Sequence, residues 1–346
     1  LYDVMIIGAG QAGLTIGYYL KQSKKSFIII DKANEIGESW KNRYDSLVLF
    51  TPRMYSSLPG MKLEGDAHQF PSKDEIAQYL KKYVKRFELP VQLQTEVRNV
   101  SKRDGCFHIH TSQGYFQSRN LIVAIGPFQT ANIPSFVKNL SHSVYQIHTS
   151  DYKNPSQLKE GNVLVVGGGN SGAQIAVELS EEKNTYLAHR KKLKFLPVTI
   201  RKKSIFWWFD KLGILKATNS SMLGRVIQKK EDIIFGYELK QAIKNNKVNV
   251  KNMVIDAKRN RVFFSDGSHL DVENIIWATG YKSSIPWLEI DGVFDDLGRI
   301  VHHRGVTNIE GLFFIGLPWQ YRRGSALLQG VGADAKYIAD RVMVDR

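Results

Sequence analysis

The chain has 346 residues, 43% of them hydrophobic, enough for about two domains whose cores need no covalent staples. Cys106 is its single cysteine, which excludes an intramolecular disulfide and a paired-cysteine redox centre. The net charge of +15 invites a polyanionic partner, but no nucleic-acid module accompanies it, and a basic surface also raises solubility and steers small anions without any macromolecular partner. No apolar run approaches the roughly 20 residues of a membrane span, so a cytoplasmic protein is expected, with its extreme N-terminus upstream of Leu1.

Residues 2–13, YDVMIIGAGQAG, run an apolar strand into a G-x-G-x-x-G turn. In such a turn the first glycine (Gly8) allows the bend, and the second (Gly10) lets the backbone approach a pyrophosphate. The third (Gly13) lets the next helix pack on the strand with its positive N-terminal end toward the phosphates. Gly13, Ile16, Gly17 and Leu20 then recur at helical spacing, and FIII reads as a buried second strand ending at Asp31, eighteen residues after Gly13. An acid there accepts hydrogen bonds from an adenosine ribose and repels a 2′-phosphate.

Residues 38–60 form a long irregular, aromatic-rich segment, read either as a binding surface or as a loop covering the core. Ser72 and Glu75 spell a capping box ahead of a helix, and strand-like runs follow from residue 91 to residue 126. His108 and His110 alternate onto one strand face without an acidic or cysteine cluster beside them, so they read as exposed strand residues and no metal site is expected.

A second copy of the glycine turn begins at residue 162 as NVLVVGGGNSG, with Gly167, Gly169 and Gly172 in the three glycine roles. Eighteen residues after Gly172 stands Arg190, opposite in sign to Asp31 and suited to a 2′-phosphate. The first site is therefore read as FAD and the second as NADPH. His189, Lys191 and Lys192 beside Arg190 leave open the alternative of a basic surface. Each turn has its own closing strand, IVAIG at 122–126 and IWATG at 276–280.

The expected fold is α/β, with two Rossmann-like dinucleotide-binding domains and the second inserted into the first. Pro, Ser and Asn content sets the boundaries: an FAD-binding domain over 1–155 and 281–346, and an NADPH-binding domain over 156–280. Seven Lys or Arg and no acid lie between Arg190 and Lys203. An aromatic, basic stretch follows, either an amphipathic helical pair packed on the nucleotide domain or a membrane-surface element. A hairpin is expected at Asp266-Gly267, and Gly324, Gly330 and Gly332 precede a helix expected from about Ala333. The N-terminus of that helix would stabilise negative charge on a reduced flavin.

Together the phrases GAGQAG, WKNRYDSLVLFTPRMYSSLPG, FPSKDEIAQYL, GGGNSG, WATGY and GSALLQGVGADA resemble the flavin-containing monooxygenases over essentially the whole chain. The resemblance implies FAD in the first turn, NADPH in the second, and oxygen as co-substrate with a small molecule. It further implies that the reduced flavin adds oxygen at carbon 4a and that the peroxyflavin oxygenates the substrate. Gly8, Gly10, Gln11, Gly13, Asp31, Lys32, Trp40, Val97, Gly126 and Gln329 are its expected FAD contacts. Gly167, Gly169, Asn170, Ser171, Gly172, His189, Arg190, Thr279, Gly280 and Tyr281 are expected at the NADPH site or the hinge beside it, with His148 nearby. Phe50, Thr51 and Pro52 are the candidates for the floor of the reaction site.

The family's identifying phrase is half present, as His148 through Tyr152, with His142 and Val144 at its Phe and Gly positions. An active-site Asn of many relatives has no counterpart in the stretch VLFTP at 48–52. These departures keep an NADPH oxidase or electron-transfer flavoprotein in view, and the basic, aromatic stretch after Arg190 would serve a third reading, a redox-sensing flavoprotein acting on a membrane partner. Peripheral membrane contact and a homodimer are both compatible with the sequence.

Overall fold

The computed structural model describes residues 1–229, 233–282 and 284–344. Residues 230–232 of the aromatic, basic stretch and Ser283 of the second boundary segment lie outside the described residues.

The first sheet is built on five parallel strands in the order Leu312–Phe314, Gly114–Val123, Tyr2–Ile7, Phe27–Ile30 and Val91–Gln92. Alternation along the first strand explains its unbroken apolar run. Val4 and Ile6 face the helices Gln11–Leu20, Lys73–Phe87 and Leu328–Val344, while Met5 and Ile7 face the antiparallel pair Val97–Arg103 and Cys106–Thr111. A strand covered on both faces has no reason to carry polar residues. The predicted capping box is present at Ser72 and Glu75 and opens the Lys73–Phe87 helix.

The second sheet repeats this plan in the order Val248–Lys251, Thr185–Ala188, Val163–Val166, Asn274–Trp277 and Tyr145–His148, all parallel. Val163 and Val165 face the helices Asn170–Leu179 and Glu238–Lys244, and Leu164 and Val166 face a three-stranded antiparallel layer. The turn at Asp266-Gly267 lies in that layer, between Arg261–Phe264 and His269–Asp271. The fold is thus α/β with two Rossmann-like units, one inserted into the other. Tyr145–His148 pairs with Asn274–Trp277, so the expected boundary at residue 156 falls inside the second unit.

The two crossings between the units lie side by side, Thr130–Ala131 antiparallel to Tyr281–Lys282. Thr279 Oγ1 donates to the carbonyl of Asn132, whose amide nitrogen donates to the carbonyl of Gly280.

Two expectations are revised. The C-terminal helix starts at Leu328 rather than near Ala333. Its glycines are packing sites instead of breakers: a Cβ on Gly330 would lie 2.4 Å from the carbonyl oxygen of Gly324, and one on Gly332 would lie 2.7 Å from Pro59. The aromatic, basic stretch divides its roles. The helix Ile205–Lys211 buries Ile205 and Phe206 against Phe235, Phe50 and Tyr55, whereas the helix Met222–Lys229 turns Met222, Leu223 and Val226 outward. Among the described residues no helix is long and apolar enough to cross a membrane.

Candidate dinucleotide sites

The two glycine turns are geometric copies. Gly8 and Gly167 have φ of +110° and +125°, in the region that favours glycine. A Cβ there would meet the carbonyl oxygen of Ala124 at 2.6 Å and of Ala278 at 2.2 Å. Gly13 and Gly172 are equally constrained, with a Cβ at 1.8 Å from the carbonyl oxygen of Gly8 and at 2.0 Å from that of Gly167. Gly10 and Gly169 differ. A Cβ on either meets nothing within 4 Å, and both have ordinary extended backbone. The fold requires the outer glycines, while the middle one leaves open the space directly over a helix N-terminus. An anion approaching the backbone would use that space.

Strand register corrects the equivalence drawn between Asp31 and Arg190. Ile7 lies opposite Ile30 in the first sheet, but Val166 lies opposite Ala188 in the second. Correspondingly, the amide of Gly8 donates to the carbonyl of Ile30, and that of Gly167 donates to the carbonyl of Ala188. The residue following the partner is Asp31 in one unit and His189 in the other. The connection between the Asn170–Leu179 helix and its next strand is one residue shorter than its counterpart in the first unit. His189 therefore takes the place of Asp31, and Arg190 extends one position beyond.

At the first turn, Asp31 accepts from the amides of Ala9 (2.6 Å) and Ala33 (2.8 Å), so it fastens the turn as well as facing it. Gln11 Nε2 donates to the carbonyl of Ala326 (2.8 Å), joining the first helix to the returning C-terminal segment. In that segment the Oε1 of Gln329 is buried with no hydrogen-bond partner among the described residues, an acceptor awaiting a donor. Trp40 packs half-buried against the core of the first unit, Lys32 is exposed, and Val97 is buried beneath the sheet, leaving only its backbone for a ligand. Gly126 closes its strand at φ +69°, as Gly280 does in the second unit at φ +76°.

At the second turn a cavity of about 370 Å³ opens over the strand ends, lined by Gly167, His189, Arg190, Thr279, Asn132 and Met253 among others. Asn132, Phe136, Met253 and Val254 were not anticipated; they come from separate segments and carry no motif. His189 Nδ1 donates to the carbonyl of Lys191 (2.7 Å), and Arg190 is exposed at the cavity. Ser171 is exposed in the first turn of the helix. Asn170 has a structural role: its Oδ1 accepts from the amide of Phe235 (2.9 Å) and its Nδ2 donates to the carbonyl of Ile233 (3.0 Å).

Between the units, His148 is 3% exposed. Its Nε2 donates to the carbonyl of Gly280 (3.0 Å) and its Nδ1 accepts from the amide of Ser150 (3.1 Å). Burial lowers its pKa, so the ring stays neutral. Tyr281 stands edge-on to His148 and to Phe128, and its hydroxyl accepts from Arg43 (3.0 Å). In the retained half of the identifying phrase, Tyr152 is fully buried and donates to Glu178 (2.8 Å). Phe50 stacks on Phe235 and Phe206, with ring centres 4.7 and 6.0 Å away. Thr51 Oγ1 lies 3.0 Å from Ser56 Oγ, and Pro52 is buried next to it.

Two dinucleotide cradles, one inserted within the other, describe an oxidoreductase that handles two nucleotides. The chain belongs to the pyridine nucleotide-disulphide oxidoreductase family, whose model matches residues 5–316. It is 62% identical to an uncharacterised oxidoreductase, CzcO, of Bacillus subtilis strain 168, over 99% of each chain. It is 28% identical to the probable indole-3-pyruvate monooxygenase YUCCA7 of Arabidopsis thaliana, over 97% of this chain and 86% of that one. The flavin-containing monooxygenase of Stenotrophomonas maltophilia superposes with a TM-score of 0.83 at 25% identity, covering 99% of this chain and 98% of that one. The resemblance to flavin-containing monooxygenases is borne out. The chain's single cysteine, Cys106, lies on the Cys106–Thr111 strand of the first unit's antiparallel pair, and the chain has no second cysteine to pair with it.

Proposed function

We propose that the chain is an FAD-containing, NADPH-dependent monooxygenase that passes one atom of dioxygen to a small organic molecule, in the cytoplasm. The observation that carries this is the pair of glycine cradles, each open only at its middle glycine and bordered by an acid in one unit and by His189 and Arg190 in the other. The residues present fit both nucleotides. The space over Gly10 admits a pyrophosphate, and the orphaned Gln329 acceptor suits a donor on a flavin ring. The cavity beside Arg190 suits a 2′-phosphate.

FAD bound there supplies two-electron transfer and oxygen activation. The protein's own tasks are placement and exclusion of water. Gly8, Gly10 and Gly13 hold one pyrophosphate and Gly167, Gly169 and Gly172 the other, each against a helix N-terminus. Asp31 selects a ribose free of phosphate. Phe50, Thr51 and Pro52 form a wall of the reaction site, with Phe50 sealed to the inserted unit through Phe206 and Phe235. The NADPH unit is bounded by the paired crossings near Ala131 and Tyr281.

The test is stopped-flow spectroscopy of protein reduced anaerobically with NADPH and then mixed with oxygen. A transient spectrum distinct from oxidised and reduced flavin, discharged faster by sulfides, amines, ketones or 2-oxo acids with formation of oxygenated product, is expected. Immediate reoxidation with stoichiometric hydrogen peroxide, whichever compound is added, overturns the proposal.

A further inference from the structure

Charge is distributed very unevenly along this chain. Residues 190–229 hold eleven Lys or Arg and one acid, a net ten of the fifteen positive charges of the whole molecule. That acid, Asp210, accepts a hydrogen bond from Tyr55 (3.3 Å). Of these cations Arg190 lines the cavity over the second glycine turn, whereas Lys211, Lys216, Arg225 and Lys229 are among those that lie beyond the residues lining it.

The same segment carries apolar side chains that the fold leaves uncovered. Met222 is 85% exposed, Leu212 66%, Val226 49% and Leu223 43%. Met222, Arg225, Val226 and Lys229 recur at spacings of three and four along the helix Met222–Lys229, so apolar and cationic groups share its outer face. Gly224 fixes that orientation. A Cβ there would lie 1.8 Å from the carbonyl oxygen of Thr218 in the turn that leads into the helix, so the buried Gly224 side packs on that turn while Met222, Arg225, Val226 and Lys229 on the opposite side are exposed. Earlier in the same segment, Trp207 is half-buried with the ammonium groups of Lys203 and Lys211 at 5.9 and 5.6 Å from its ring.

We propose that this face docks on a bilayer surface bearing anionic lipid headgroups. The cations would lie at the phosphates, and Met222 and Val226 would enter the headgroup boundary, with the short helix in the plane of the interface. Charge complementarity explains why acids are almost absent from the segment. The uncovered apolar groups explain what charge alone does not, because a purely electrostatic contact with a polyanion would gain nothing from an exposed Met222. This docking is independent of the flavin chemistry.

The test is co-sedimentation of the FAD-loaded protein with vesicles of phosphatidylcholine, with and without about one-third phosphatidylglycerol, at low ionic strength and again at about 0.5 M salt. Binding to the anionic vesicles, lost in high salt and with phosphatidylcholine alone, is expected. Replacing Arg225→Gln and Lys229→Gln together lowers partitioning about twentyfold, on a scale of roughly fivefold per basic group near such a surface. Replacing Met222→Ser and Val226→Ser lowers it at least about fivefold. All four side chains are at the surface, and an unchanged circular dichroism spectrum and NADPH oxidation rate confirm that the variants fold. Absence of binding to anionic vesicles at low salt overturns the proposal. So does serine-variant binding equal to that of the parent, which would reduce the face to a docking site for an acidic macromolecule.

Discussion

Exchanging the residue at position 189 tests both the cofactor assignment and the strand register behind it. His189→Asp places a carboxylate where Asp31 stands in the first unit, directly after the residue that accepts from the first glycine's amide. Two unit charges about 4 Å apart interact by about 4 kcal/mol at an effective dielectric constant of ~20, and by about 1 kcal/mol in water. His189 is half-buried and Arg190 is exposed, so a value near 2 kcal/mol, about thirtyfold, is a working figure. Arg190→Ala removes a charge-assisted hydrogen bond worth about 1.5–3 kcal/mol, toward the low end at an exposed site. The double variant should weaken NADPH by about three orders of magnitude and leave NADH within a fewfold, reversing the preference. Titration of the FAD-loaded protein with each nucleotide, together with anaerobic reduction rates, measures this. The comparison with Arg190→Asp is decisive. If that variant accepts NADH well and His189→Asp does not, the eighteen-residue count was the true equivalence and the register argument fails. Equal losses for NADPH and NADH in Arg190→Ala would remove the 2′-phosphate from the scheme.

Three further outcomes follow from the geometry. Gly172→Ala drives a Cβ to 2.0 Å from a backbone oxygen and should cost several kcal/mol in urea unfolding, whereas Gly169→Ala should leave the unfolding midpoint unchanged and weaken NADPH at least tenfold. Gln329→Leu removes a buried acceptor that the protein itself does not satisfy. It should leave apoprotein stability equal or higher and raise the dissociation constant for FAD about tenfold, read by fluorescence titration. His148 is held neutral by burial, so its folded pKa lies below the unfolded value of about 6.5. Protons then bind the unfolded chain first, and stability present above that pH is lost as the pH falls through the window below it. His148→Gln should flatten the decline in melting temperature between about pH 6.5 and 5, with a remainder carried by His302, also lowered by burial. An unaltered slope would show that another group governs the decline.

What the sequence made legible was local. Glycine roles at Gly8, Gly13, Gly167 and Gly172 follow from steric limits within one turn, and the apolar runs of 4–7 and 163–166 follow from strands covered on both faces. The place of His189 was hidden because counting residues from Gly172 assumes equal connections, and the second is one residue shorter. The cavity walls at Asn132, Phe136 and Met253 were hidden for a different reason: two segments far apart in the chain, around 132–136 and 253–254, meet there through tertiary packing. The last helix starts five residues before the expected Ala333 because Gly330 and Gly332, which the sequence places ahead of it, lie inside it, where their contacts with Gly324 and Pro59 compensate for their low helix propensity. Asn170 reads equally well as a phosphate contact, and only the positions of Ile233 and Phe235 reveal that both ends of its amide are occupied.

The paired crossings at Thr130–Ala131 and Tyr281–Lys282 constrain how the two halves of the molecule can move. A single tether would let the inserted half swing in any direction. Two strands laced by hydrogen bonds behave as a flat strap: stiff to bending within its own plane, compliant in torsion about its length. Arg43, reaching from one half to the Tyr281 hydroxyl and to within 4.6 Å of the Phe128 ring, stands at the edge of that strap as a stop on the twist. Any twist of the inserted half about that strap would have to part Arg43 from Tyr281, so Arg43→Ala is expected to loosen the strap without touching either glycine turn.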